Sequence, residues 1–196
     1  MALLRANPSE TPASPVAPLS SWNVVATAKD LEQRHLARRL RRFGDFRWTE
    51  FRGVLIGRVE DHEAFFEQLR RNEEDEPGFL YPLSKVVPIE RTFSFALETF
   101  LPLLKEAILP YLDRIGAGSF YVRMERRGHS GEIHAQTVEQ ELGRHVIETQ
   151  QARGATPRID YKNPEAIIVI ETIGNECGIG LITRTLHERY PFVRVP

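Results

Sequence analysis

The sequence predicts an α+β protein in two parts, and two observations carry that prediction. Residues 22–95 alternate short β-branched runs with two helix-spaced segments in the order β-α-β-β-α-β, which is the ferredoxin-like pattern of helices on one face of an antiparallel sheet. Residues 96–196 hold a long amphipathic helix, an alternating strand, a second helix and a continuously apolar segment, the content of an α/β unit with a mixed sheet. Residues 1–21 are rich in Pro, Ser and Ala without apolar periodicity, so a disordered tail is expected there.

In the first part, Trp22–Lys29 reads as a strand. Asp30 is placed to cap a helix running to about Phe43, with Leu36, Leu40 and Phe43 on one face, and Gly44 ends it. Phe46–Phe51 and Gly53–Val59 read as strands joined near Arg52. Asp61 starts a second helix with Phe65, Phe66 and Leu69 inward, broken by Glu73–Glu76 and Pro77-Gly78. Val86–Phe95 reads as one strand, with Pro88 at an edge or bend.

The second part opens with the strongest helix signal, Glu98–Ile115, where Leu101, Leu104, Ile108 and Leu112 recur at helical spacing. Thr99 is a cap candidate, Pro102 fits a first turn, and Pro110 kinks or ends the helix. Phe120–Arg127 alternates, with Phe120, Val122 and Met124 on one face. A helix from about His134 to Thr149 follows. Arg158–Tyr161, Ala166–Thr172 and Ile179–Thr183 read as strands, Ala166–Ile170 being central because it is apolar on both parities. Leu186–Tyr190 is a short helix or turn before a terminal strand.

Composition narrows the function. The chain has 196 residues, 41% hydrophobic and 27% charged, enough for one compact domain or two small ones. A single cysteine, Cys177, excludes an internal disulfide and fits a reducing compartment. No apolar run reaches the roughly 18 residues of a membrane helix, and the start does not read as a secretory signal, so a cytoplasmic protein is expected. The net charge is −1, less basic than nucleic-acid binding usually leaves. Charge is uneven, however: residues 29–58 carry nine basic against four acidic side chains, and Glu73–Glu76 is acidic.

Two basic groups are candidates for phosphate contact. Arg34, Arg38, Arg41 and Arg42 share a helical stripe that either tracks a nucleic-acid backbone or is a solvated face. Arg123, Arg126, Arg127 and His129 run from a strand into a Gly-containing loop that offers guanidinium and backbone N–H donors, or forms an ordinary charged loop. His129, Glu132 and His134 lack metal-site spacing, so no metal is expected. Gly174, Gly178 and Gly180 do not have dinucleotide-binding spacing and read as a tight turn between strands; Cys177 there is either exposed or, the favoured reading, a free structural thiol. No catalytic motif is present, and no carboxylate pairs convincingly with His35, His62, His129, His134, His145 or His187. No cofactor and no catalytic residue are therefore expected.

The segments FYVRMERRGHS (120–130), LGRHVI (142–147), RIDYKNPEAIIVIE (158–171) and NECGIGLITR (175–184), in this order after an amphipathic helix, resemble a THUMP domain. The first carries the (F/Y)-x-V-R-x-x-R-like pattern of those domains. A small ferredoxin-like domain usually precedes a THUMP domain, and in that family the two together hold the acceptor end of tRNA. Most such proteins add a catalytic domain. This chain is expected to lack one and is most similar to stand-alone adaptors that bind tRNA while a separate acetyltransferase modifies cytidine N4. The resemblance implies tRNA contacts at Arg123, Arg126, Arg127, His129, Lys162 and Arg184, to which the residues add Arg38 and Arg42. For Lys162 and Arg184, strand-edge solubility and surface ion pairs are the alternatives. For the protein, the alternatives are an interaction or regulatory module that no longer binds RNA and an enzyme with an unrecognised site.

Overall fold

The computed structural model describes residues 22–30 and 32–195. The expected tail at 1–21 lies outside them. The first half follows the expected order: β1 (Val24–Ala28), α1 (Gln33–Leu40), β2 (Asp45–Trp48), β3 (Val54–Arg58), α2 (His62–Asp75) and β4 (Leu83–Pro88). The strands form an antiparallel sheet in the order β2-β3-β1-β4, consistent with a ferredoxin-like domain. Leu36 and Leu40 of α1 and Phe65, Phe66 and Leu69 of α2 cover the sheet. Asp61 caps α2, its Oδ1 accepting from the N–H of Ala64 at 2.7 Å. At α1 the N-cap is Glu32 rather than Asp30, and no side chain caps the helix. As expected, α2 ends at Glu73–Glu76 and Pro77-Gly78, its last helical residue being Asp75.

The segment Val86–Phe95 is not one strand. β4 ends at Pro88, which has no N–H to donate, and the chain crosses to a second sheet. There β5 (Arg91–Ser94) pairs with β9. The expected division at residue 95 thus falls seven residues after the end of the first sheet. The elements that follow are α3 (Leu97–Ala107), a 3-10 turn (Leu109–Tyr111), α4 (Leu112–Ile115), β6 (Ser119–Glu125), α5 (Ala135–Ala152), β7 (Arg158–Ile159), β8 (Ala166–Ile173), β9 (Glu176–Thr183) and α6 (Arg184–Arg189). Pro110 falls in the 3-10 turn and separates α3 from α4. Ala96 is the N-cap of α3, and Thr99 bonds back to its N–H at 3.1 Å. Pro102 sits in the second turn rather than the first.

The second sheet is mixed, in the order β5-β9-β8-β6-β7, with β8 near its middle as its apolar run requires. Phe120, Val122 and Met124 face α3 and α5 in one core. The other face of the sheet packs on the first unit: Val169 and Ile182 join Trp22, Val25 and Val87 in the first unit's core, hereafter the first core. Gly178 and Gly180 lie inside β9 rather than in its turn, where a side chain and a backbone carbonyl pack directly on the bare strand. A Cβ at Gly178 would strike the Trp22 ring, and one at Gly180 would strike the Pro88 carbonyl oxygen. Cys177 is a free thiol buried in β9, not exposed in a turn. The C-terminal segment also serves the first unit, since Val193 bridges to Val86 of β4 in parallel and Tyr190 packs against Phe66. No described helix is long and apolar enough to cross a membrane.

Candidate nucleic-acid interface

The turn Asp160–Asn163 sets one side of a cleft. One oxygen of Asp160, Oδ1, accepts from the backbone N–H groups of Asn163 and Lys162, both at 2.9 Å. These two donors hold the Asp160 carboxyl below the usual carboxylate range. Fixing the turn presents Tyr161, 69% exposed, with its ring centroid 5.5 Å from that of Tyr121. Tyr121 stands on the face of β6 opposite the core of α3 and α5, and partial burial pushes its phenol pKa up.

The other side comes from α6 and the C-terminal segment. Thr183 caps α6 by accepting from the Leu186 N–H at 3.2 Å. Arg184 reaches back to the turn, Nε donating to the Pro164 carbonyl at 3.2 Å and Nη2 to the Asn163 carbonyl at 2.8 Å. His187 Nδ1 donates to the Val193 carbonyl at 2.8 Å, and Arg194 Nη2 to the Ser84 carbonyl at 3.0 Å. Together with Lys162, these side chains line a cleft of about 390 Å³ floored by Ile167 and Ile182. The cleft has two aromatic rings and several cations, and no Asp or Glu lines it. Such a site suits a ligand with π faces and negative charge.

The ion pairs explain how a chain of charge −1 carries this site. Arg70 and Arg71 pair with Glu67, Arg114 with Glu90, Arg144 with Glu141, and Arg189 with Glu63. Among the described residues, no carboxylate lies within the 4.0 Å ion-pair limit of Lys162, Arg184, Arg194 or any of the eight arginines from Arg34 to Arg58. Acidic residues pair with many of the other cations and leave these groups without a neutralising partner.

The eight site residues expected from sequence fall in separate places. Lys162 and Arg184 line the cleft, although Arg184 spends two N–H groups on carbonyls. Arg123 lies two residues along β6 from Tyr121, with Nη1 3.8 Å from Glu139 Oε1. Arg126 and His129 lie past the far end of β6, in a loop bound to the β8–β9 turn. Arg126 Nη1 donates to the Gly128 carbonyl at 2.6 Å. His129 is held between Glu132 and Asn175 at 3.1 and 2.7 Å. Arg38 and Arg42 are exposed on and just beyond α1, Arg42 above the Phe79 ring.

Arg127 is turned inward, contrary to its reading as a surface contact. Its backbone N–H donates to Thr172 Oγ1 at 2.9 Å, beyond the end of the strand ladder, and its side chain is ion-paired with Glu171. Only 9% of that side chain is exposed. Sequence reasoning missed Tyr121, Tyr161, His187 and Arg194 as cleft residues. The two tyrosines carried a signal, Tyr121 by alternation and Tyr161 by its Asp-x-x-Asn turn. Arg194 carried none, since its place depends on a strand pairing more than a hundred residues back in sequence.

The THUMP domain profile matches residues 98–182. These residues are a THUMP domain. The match contains Tyr121, Tyr161 and Lys162, and Arg184 follows two residues after it. Protein PH1313 from Pyrococcus horikoshii Ot3 has a similar fold, with a TM-score of 0.57 at 13% identity over 82% of this chain and 54% of that one. TrmN from Thermus thermophilus gives 0.55 at 22% identity over 81% and 44%. A 4-thiouridine synthetase–RNA complex with bound ATP gives 0.50 at 13% identity over 82% and 41%. The chain therefore spans about half or less of each of these proteins. No protein of curated function matches it. Because the likeness covers over four-fifths of this chain, it includes the first unit as well as the THUMP domain.

Proposed function

We propose that the chain binds tRNA at the Tyr121–Tyr161 cleft and acts as a non-catalytic adaptor for a separate RNA-modifying enzyme. The observation that carries the reading is the cleft itself: two tyrosines, Lys162, Arg184, His187 and Arg194, with no lining carboxylate, on a THUMP domain. Stacking on tyrosine favours unpaired bases, and unneutralised cations favour phosphates. One structure of similar fold is a synthetase bound to RNA, which supports the same class of ligand. Cytidine N4-acetylation is the modification that the ordered segments point to. The non-catalytic role is supported by Cys177, which lies within β9 with its thiol pKa pushed up by burial, away from the reactive thiolate.

A gel shift with total tRNA tests the binding. A salt-sensitive shift is expected, weakened at least about tenfold in K162A/R194A, with the salt slope reduced by about 1.5 for the two lost cations. No shift at micromolar protein, or one indifferent to salt, sinks the reading. The adaptor role is tested in cells lacking the chain. N4-acetylcytidine should disappear from tRNA, while the purified chain with acetyl-CoA should form none.

A further inference from the structure

A second cleft lies on the first unit, at the opposite end of the molecule's second sheet. It has a volume of about 290 Å³ and is lined by Gln33 and Arg34 of α1 and by Trp48, Glu50, Phe51 and Arg52 around the β2–β3 turn. Trp48 is a large ring on a short edge strand, and 40% of it is exposed. The turn that carries it is rigid. Thr49 Oγ1 accepts from the Phe51 N–H at 3.1 Å and donates to the Val54 carbonyl at 3.1 Å, and Phe51 packs against the first core. Arg34 and Arg52 are exposed, reach the cleft from separate elements, and have no carboxylate partner among the described residues. Glu50 stands on the wall beside Gly174, its Oε1 being 3.6 Å from where a Cβ of that glycine would lie.

We propose that this cleft binds an unpaired nucleotide of the RNA strand, the base stacked on Trp48 and the flanking phosphates on Arg34 and Arg52. The inference rests on the RNA-binding reading above and adds a second contact point to it. Gln33 and Glu50 supply a polar edge for the base, Glu50 as acceptor for an exocyclic amine. A free mononucleotide has the same chemistry, but it carries phosphate on one side of its base only. A strand offers a phosphate on each side, one for each guanidinium. The cleft touches the β8–β9 turn, whereas the Tyr121–Tyr161 cleft lies at Ile167 near the start of β8. Seven residues separate Ile167 from Gly174, about 23 Å at the rise of a strand. A strand of a few nucleotides is long enough to span that distance, and a second contact on the same strand then forms within the complex, at high effective concentration.

Tryptophan emission of the full chain, titrated with single-stranded hexa-adenylate, tests the proposal. The chain has two tryptophans, and Trp22 is only 3% exposed, its indole N–H donating to Glu176 at 2.7 Å. Stacking should quench Trp48, and W48F should show no change. R34Q/R52Q should weaken the quenching titration, and W48A should weaken oligonucleotide binding about fivefold or more. K162A/R194A, which cripples the other cleft, should still be quenched. If the wild type binds hexa-adenylate by anisotropy while its tryptophan emission stays unchanged, the second cleft is overturned and the first reading stands. If neither hexa-adenylate nor tRNA binds at all, both are overturned. If adenosine monophosphate quenches as tightly as hexa-adenylate, the assignment to a strand is overturned.

Discussion

Arg127 is ion-paired to Glu171 inside the seam between the two sheets, at the inner end of a charged chain. Glu125 lies 4.0 Å from Arg127 and 3.1 Å from Lys85 of β4, so the chain links the first unit to the THUMP domain. Lys85 and Glu171 are both buried. Burial raises the Glu171 pKa, and the Arg127 charge opposes that rise. In R127A the carboxylate is left buried without its main partner, a loss of about 3–5 kcal/mol for a pair of this kind. Its folded pKa then lies still further above its unfolded one. The folded state therefore holds more protons between the two values, and stability falls as pH rises through that window. Urea denaturation should show R127A more destabilised at about pH 8 than at about pH 5, and R127A/E171Q should recover much of the loss. Equal destabilisation at both pH values would contradict the buried-carboxylate account.

Gly180 makes a second prediction about the same seam. A methyl group there meets the carbonyl oxygen of Pro88, and backbone cannot swing aside as a side chain tip can. G180A should lose about 1–3 kcal/mol, read as a lower denaturation midpoint. A midpoint equal to that of the wild type would mean that β9 and the crossing at Pro88 do not meet as closely as described.

The seam also shows what the sequence conceals. Alternation and helical spacing are local, so the order β-α-β-β-α-β, the central place of Ala166–Ile170 and the inward face of Phe120, Val122 and Met124 were all legible. Which sheet a strand joins is set by partners far away in sequence. Val86–Phe95 read as one strand because Pro88 is compatible with an edge as well as with a break. Only the pairing of Arg91–Ser94 with β9 separates the two pieces. The glycines of β9 looked like a turn because turns and close packing on a strand both require the absence of a Cβ. Of the cleft's cations, Lys162 and Arg184 were named from the segments that resemble a THUMP domain. Arg127 misled because an arginine of a buried pair has the same sequence signature as one that meets phosphate.

Tyr161 is exposed enough to be removed without cost to the core. If it stacks on a base, Y161A should weaken binding of single-stranded RNA by about 1–3 kcal/mol, while Y161F should bind like the wild type. Thermal midpoints of all three proteins should agree. Equal weakening in Y161F and Y161A would transfer the role from the ring to the hydroxyl.

Asp160 acts on RNA only through the turn it organises. Its carboxylate accepts from the N–H groups of Asn163 and Lys162, which holds its folded pKa below the unfolded value. The sign follows from linkage: the ordering of the turn is fully present above the unfolded pKa and is lost as pH falls through the folded one. At neutral pH the turn should be fixed, with Tyr161 and Lys162 presented together. D160A removes the acceptor. It should weaken RNA binding while leaving the denaturation midpoint nearly unchanged, since the turn lies at the surface. D160N retains an oxygen at the same place but no charge, so it should bind RNA at neutral pH more tightly than D160A. Amide exchange at Lys162 and Asn163 separates this from a direct charge effect. Exchange should quicken in D160A and stay slow in D160N. Slow exchange in D160A would show that the turn holds without its carboxylate, and any loss of affinity would then need another cause.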